Sequence, residues 1–130
     1  MTAIPDSHED ILGANGIAHV ATIGPDGEPH SSPVWFDWDG EQLLFSQVTQ
    51  RQKYQNLQRD PRVAVSILDP DNPYRNVEIR GTAEFEEDTD RSFVNSLAKK
   101  YMGEDSYDYD EPGDVRMIIS VEPDHVTTFG

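Results

Sequence analysis

The stretch FSQVTQRQKYQNLQRDPRVAVSILD, Phe45 to Asp69, reads as the end of one strand, a short helix and a whole second strand. Thr49 opens the helical part in the form of a capping box, its hydroxyl placed to accept from the amide of Gln52 while the Gln52 side chain reaches back. A helix is therefore expected from about Gln50. Tyr54 and Leu57, three residues apart, give it a buried face, and Pro61 disfavours helical geometry at Asp60 and stops it. Arg51, Lys53, Arg59 and Arg62 lie in or beside this helix, although the chain holds only 10 Lys and Arg against 25 Asp and Glu. First-turn amides carry partial positive charge, so Arg51, Lys53 and those amides can converge on one anion, with Asn56 offering an amide to a ring or a hydroxyl. The commoner use of two surface cations is to balance neighbouring acids. Here the helix start, the strand before it and the scarcity of cations elsewhere favour an anion site of phosphate type.

Outward from this segment the pattern is mostly β. GIAHVATI (Gly16 to Ile23) and EPHSSPVWF (Glu28 to Phe36) form a hairpin across the turn GPDG, and EQLLFSQV (Glu41 to Val48) follows the turn DWDG. Pro29 and Pro33 cannot donate to a ladder, which puts the second strand at an edge or at a bulge, with backbone groups free for other partners. RVAVSILD (Arg62 to Asp69) and RNVEIRGTAEFEE (Arg75 to Glu87) flank the turn PDNPY. A helix capped by Asp88 or Thr89 carries Phe93, Val94, Leu97, Ala98, Tyr101 and Met102 at helical spacing and closes at Gly103. VRMIISVE (Val115 to Glu122) is the last strand and HVTTF (His125 to Phe129) an extended tail. A short helix near Asp6 and Ser7 leads the chain. The expectation is one domain over residues 1–130, mainly β with flanking helices: six antiparallel strands in a small closed or half-open barrel.

Composition removes several function classes. A formal net charge of -15 repels nucleic acid and anionic membrane surfaces. With no cysteine there is no disulfide, thiolate metal site or cysteine nucleophile. No apolar run approaches the ~20 residues of a membrane span, and a soluble, cytoplasmic protein is expected. The acid excess suits either an ordinary solvated surface or a salt-rich, halophilic cytoplasm. Asp108, Asp110 and Gly113 stand at the first, third and sixth places of a calcium loop, but Pro112 and Ile119 occupy places that need oxygen ligands, so a solvated acidic loop is expected. His8, His19, His30 and His125 lack metal-pair spacing, and Ser31 and Ser32 lack the small-residue elbow of a hydrolase nucleophile.

Phe45 to Gly81, with ATIGPDGEPHSSPVWFDWDG (Ala21 to Gly40) before it, resembles the split-barrel flavin and deazaflavin oxidoreductases, the pyridoxamine-phosphate-oxidase-like proteins with the FMN-binding split-barrel fold. SPVWF (Ser32 to Phe36), the Arg-x-Lys-x-x-Asn-Leu run at Arg51 to Leu57, and DPDNPYR (Asp69 to Arg75) place it nearest the branch that uses coenzyme F-420. The resemblance implies a homodimer with two cofactor sites at its interface and a small-molecule substrate. It implies a cofactor phosphate on Arg51 and Lys53, with Asn56 close by. The ring would lie against Ser32, Pro33 and Val34 beside Ser46 and Gln47, and Tyr74, Arg75 and Asn76 would reach in from the partner. No catalytic side chain or metal is implied, because the cofactor carries the hydride chemistry. Relatives with FMN use a very similar Arg-Lys motif, which makes FMN the alternative cofactor. An oxidoreductase acting on an unsaturated small organic molecule is the implied function; the alternatives are an FMN-dependent oxidase or reductase of the same fold and a non-catalytic F-420 carrier.

Overall fold

The computed structural model describes residues 2–130. A 3-10 turn at Asp6–His8 runs into α1 (Glu9–Gly13), whose Ile11 and Leu12 are buried. Then come β1 (Ala18–Ile23), β2 (Pro29–Val34), β3 (Asp37–Trp38) and β4 (Leu43–Val48). After α2 (Gln52–Arg59) follow β5 (Arg62–Asp69), β6 (Asn72–Glu87), α3 (Ser92–Met102), β7 (Arg116–Val121) and β8 (His125–Phe129). All strand pairs are antiparallel. The strand order is β2-β1-β5-β6-β7-β4-β3, with β8 added on β6.

The long β6 is the spine. Its first half pairs β5 and β8, and its second half pairs β7. The change of partner falls at Gly81, where a Cβ would collide with the carbonyl of Glu122, so only glycine lets the two chains cross this closely. Inward-facing Val20, Phe45, Val65, Ile67, Val77, Ile79, Ile119 and Val121 alternate with outward residues and fill the core. Strands β2 and β3 end the path unpaired on their outer sides, so the barrel stays split.

Eight strands form rather than six, for two local reasons. Asp37 and Trp38, expected in a turn, pair with Leu44 and Leu43, because the turn proper is tightened at Asp39, whose carboxylate accepts from the amides of Glu41 and Gln42. The tail lies on the free side of β6, with Val126 opposite Ile79. The expected PDNPY turn is also shorter, since β6 already starts at Asn72.

The capping box at Thr49 does not form. The amide of Arg51 donates to the Val48 carbonyl at 3.1 Å, closing a turn that delays the helix to Gln52. Gln55 donates to the Thr49 carbonyl, and Gln52 reaches forward to Asn56 instead of back. The helix ends at Asp60 with extended backbone, as Pro61 dictates. For α3 the expected cap is Asp88, whose carboxylate takes the amides of Phe93 and Val94. Arg91 between them adopts a left-handed conformation that makes this reach possible.

Candidate functional site

The open seam of the barrel is bridged by α2. Asn56 is fully buried; its Nδ2 donates to Thr22 Oγ1 on β1 at 3.0 Å, and its Oδ1 accepts from Gln52 at 2.7 Å. Arg59 donates to the Ile23 carbonyl at 2.6 Å, and Lys53 Nζ donates to Gln47 Oε1 on β4 at 3.1 Å. The helix thus ties β1 to β4 across strands that never pair. Asn56, expected at the cofactor, is engaged in this tie with both ends of its amide occupied. Asn56→Ala leaves Thr22 and Gln52 without their buried partner and is expected to cost about 1–3 kcal/mol of stability, read from the denaturant midpoint.

What the seam leaves open is a cleft of about 1010 Å3. Ser32, Pro33 and Val34 of β2 form one wall, Ser46 and Gln47 of β4 the opposite one, and Arg51 and Lys53 close one end. Seven of the expected site residues are therefore brought together by strands from opposite ends of the strand order. Val34, Val48, Val94 and Leu97 give the walls their apolar surface. Pro29 and Pro33 sit on the edge strand as expected, and an edge proline keeps its missing donor on the unpaired side. That edge accordingly presents carbonyl acceptors to a ligand and few amide donors.

Tyr74, Arg75 and Asn76 lie elsewhere on the chain. Arg75 is held by Asp69 at 2.6 Å and by Asp10 at 2.9 Å, Tyr74 is 76% exposed, and Asn76 sits in β6 between Leu68 and Phe129. The structure adds cleft residues that sequence reasoning missed: Trp35, Thr22, His30, Tyr107 and Arg116. Arg116 and Tyr107 come from around the acidic loop expected to be solvated. Instead Asp110 is nearly buried between Arg116, at 2.6 Å, and Arg91, at 2.9 Å. A loop of six acids with two tyrosines and an arginine two residues beyond it was the available signal.

Charge distinguishes the closed end. Arg62, Arg75, Arg80, Arg91, Lys99 and Arg116 each pair with a carboxylate. Arg59 and Lys100 donate to the Ile23 and Phe36 carbonyls. Among the described residues Arg51 has neither kind of partner and Lys53 has only the neutral Gln47 side-chain amide, and both face the cleft. Burial, and then the neighbouring Arg51 charge, push the Lys53 ammonium down to about 8. Two cations held together without a carboxylate, beside the first amides of a helix, are an arrangement that can take one anion without rearrangement.

The sequence pattern of pyridoxamine 5'-phosphate oxidase matches residues 4–130. The chain belongs to the pyridoxamine 5'-phosphate oxidase family. Within this family the split barrel has solved counterparts. A structure described as an F420 reductase shares 40% identity at a TM-score of 0.84, covering 95% of this chain and 98% of that one. A conserved hypothetical protein from Mycobacterium tuberculosis shares 27% identity at a TM-score of 0.76, covering 98% of this chain and 85% of that one. A curated relative, the 5a,11a-dehydrotetracycline/5a,11a-dehydrooxytetracycline reductase of Streptomyces rimosus, is 35% identical over 82 residues. That match spans 56% of this chain and 57% of the relative. The reductase names belong to those relatives; what this chain shares with them is the family and the split-barrel fold. No helix among the described residues is long and apolar enough to cross a membrane.

Proposed function

We propose that the protein is a dimeric oxidoreductase that binds coenzyme F-420 and reduces an unsaturated small organic molecule. The observation that carries this reading is the pair Arg51 and Lys53, the two cations left without a carboxylate or backbone-carbonyl partner, lining a cleft in a strongly acidic chain. The 40% identical structure described as an F420 reductase and the dehydrotetracycline reductase support the deazaflavin and the reductive direction. The residues present fit such a group. Arg51, Lys53 and the first amides of α2 would hold its phosphate, and the acceptor-rich edge at Ser32–Val34 would hold a ring. Bound there, the reduced coenzyme would supply a hydride equivalent to the conjugated acceptor, with solvent supplying the accompanying proton. The chain's own work is to bind, to orient, and to keep water out with Val34, Val48, Val94 and Leu97.

Homodimerisation is part of the same reading. Leu68 and Phe129 are 42% and 64% exposed and stand in one row with Asn76 between them, next to the exposed Tyr74. An exposed apolar row of this kind marks an interface, and it carries the Tyr74–Asn76 segment that would reach a partner's cleft. Sedimentation is expected to show a dimer; a monomer binding F-420 at full affinity would remove this part of the proposal.

Lys53 makes the binding proton-linked. An anion favours its charged form, so F-420 affinity is expected to be flat below pH 8 and to fall by up to about tenfold per unit above it, until the pKa of the complex is reached. Lys53→Arg, which stays charged, should flatten the profile. Turnover is tested by mixing the protein with reduced F-420 and 2-methyl-1,4-naphthoquinone: oxidation of the coenzyme at a rate proportional to protein is expected. Binding without any such acceleration, for this and other conjugated acceptors, would identify a carrier.

A further inference from the structure

Resting on the reading above, we propose that Trp35 and Tyr107 form the acceptor side of the cleft, and that Asp110 is the positioning residue that keeps Tyr107 there. The acceptor class this fits is a flat, conjugated ring system. Trp35 follows directly on β2, and about five residues of extended chain, roughly 17 Å, separate it from His30 at the α2 end of that strand. The cleft is therefore long enough to hold a phosphate at one end and a second molecule at the other. The Trp35 ring is stacked on Tyr101 at 5.2 Å and 4°. Tyr101 is fixed in turn, its hydroxyl donating to the Gly16 carbonyl at 2.7 Å. Tyr107 meets Trp35 at 5.9 Å and 88°, and both line the cleft. Two rigid rings at right angles offer a planar molecule one stacked and one edge contact. They give a small aliphatic molecule much less.

Tyr107 lies outside regular secondary structure and is held by side chains. Its amide donates to Asn95 Oδ1 at 2.9 Å, its carbonyl accepts from Arg91 at 3.0 Å, and its ring lies 4.9 Å from the Arg116 guanidinium. Both arginines are aimed by Asp110, which accepts from Arg116 at 2.6 and 2.8 Å and from Arg91 at 2.9 Å. The carboxylate thus controls a cleft wall without itself being among the residues that line it. If the rings only anchored the loop, their removal would change stability and leave ligand binding alone.

The test is equilibrium binding of 2-methyl-1,4-naphthoquinone to protein loaded with oxidised F-420, where no turnover can occur, and to protein without it. Trp35→Ala and Tyr107→Leu are expected to weaken the quinone at least tenfold, and Asp110→Asn at least fivefold, while Trp35→Phe stays within about threefold of wild type. F-420 affinity should change less than quinone affinity in every folded variant, and 2-cyclohexen-1-one should discriminate little between them. Equal quinone affinity in wild type, Trp35→Ala and Tyr107→Leu would overturn the proposal while leaving the F-420 reading intact. Absence of F-420 binding by wild type would instead defeat that reading, and the quinone series on protein alone would still decide the ring pair. Should Asp110→Asn not fold, Arg91→Gln tests the positioning argument, since it removes the guanidinium that Asp110 holds on the Tyr107 carbonyl; quinone affinity equal to wild type would overturn that role.

Discussion

Lys53→Met is expected to weaken F-420 binding while leaving the protein as stable as wild type or more so. The ammonium is half buried, next to Arg51 and without a carboxylate, so burial and like charge both disfavour it in the folded protein. Its folded pKa of about 8 lies below the ordinary value of 10.5. From about pH 8 to 10.5 the unfolded chain binds more protons at this site, so the group's contribution to stability rises with pH there and is unfavourable at neutral pH. An anion reverses the balance by giving the charge a partner. Loss of one charge-assisted hydrogen bond costs about 1.5–3 kcal/mol, or roughly 10- to 150-fold in affinity, and the same range applies to Arg51→Ala. The double variant should lose more than either single one, though less than their sum, because each cation relieves the other's repulsion when removed. Titration for binding and a melting curve for stability, on the same preparations, read the two opposite effects. A variant that loses stability and keeps its affinity would relocate the anion site.

Asp110→Ala is expected to be the most destabilising single change around the cleft. The carboxylate and the Arg116 guanidinium are 11% and 12% exposed, and Arg91 shares the same oxygens. Removing one partner of a buried pair costs about 3–5 kcal/mol because the remaining charge stays desolvated, and the slight exposure here places the cost near 3. Two guanidiniums would be left facing each other. The hydrogen bond from Arg116 is the foremost influence that lowers the Asp110 carboxyl below its ordinary range. Its contribution is therefore complete above about pH 4, where the unfolded carboxyl titrates, and fades as the pH falls through the lower folded value. Chemical denaturation of wild type and variant should show a gap that is constant near neutrality and narrows in acid. A gap below about 1 kcal/mol would make the loop a surface ornament.

How much of this was legible in sequence depended on the range of the interaction. The strand, helix and strand from Phe45 to Asp69 were readable because apolar alternation, the Tyr54 and Leu57 face and Pro61 all act within a few residues. The placement of Arg51 and Lys53 at the helix start was readable for the same reason, helped by the rarity of other cations. The edge position of β2 followed from two prolines that cannot donate. Thr49 misled because a hydrogen bond from Arg51 to Val48, formed in the backbone, took precedence over the side-chain cap. Asn56 has the spacing of a ligand-facing residue, and its burial depends on Thr22, on a strand far earlier in the chain. Strand β3 is too short for any periodicity to show. The acidic loop looked solvated because its carboxylates outnumber everything near them, and only the fold brings Arg91 back against Asp110.

The proposed function rests on Arg51 and Lys53, held without a carboxylate partner in an acidic split barrel, taking the phosphate of a deazaflavin. Parallel titration of the protein with F-420 and with FMN, under one buffer and salt condition, tests it most directly. Saturable F-420 binding that is at least tenfold tighter than FMN, and is lost in the Arg51 and Lys53 variants, is the predicted result. Tighter binding of FMN, or F-420 affinity indifferent to both cations, would contradict it.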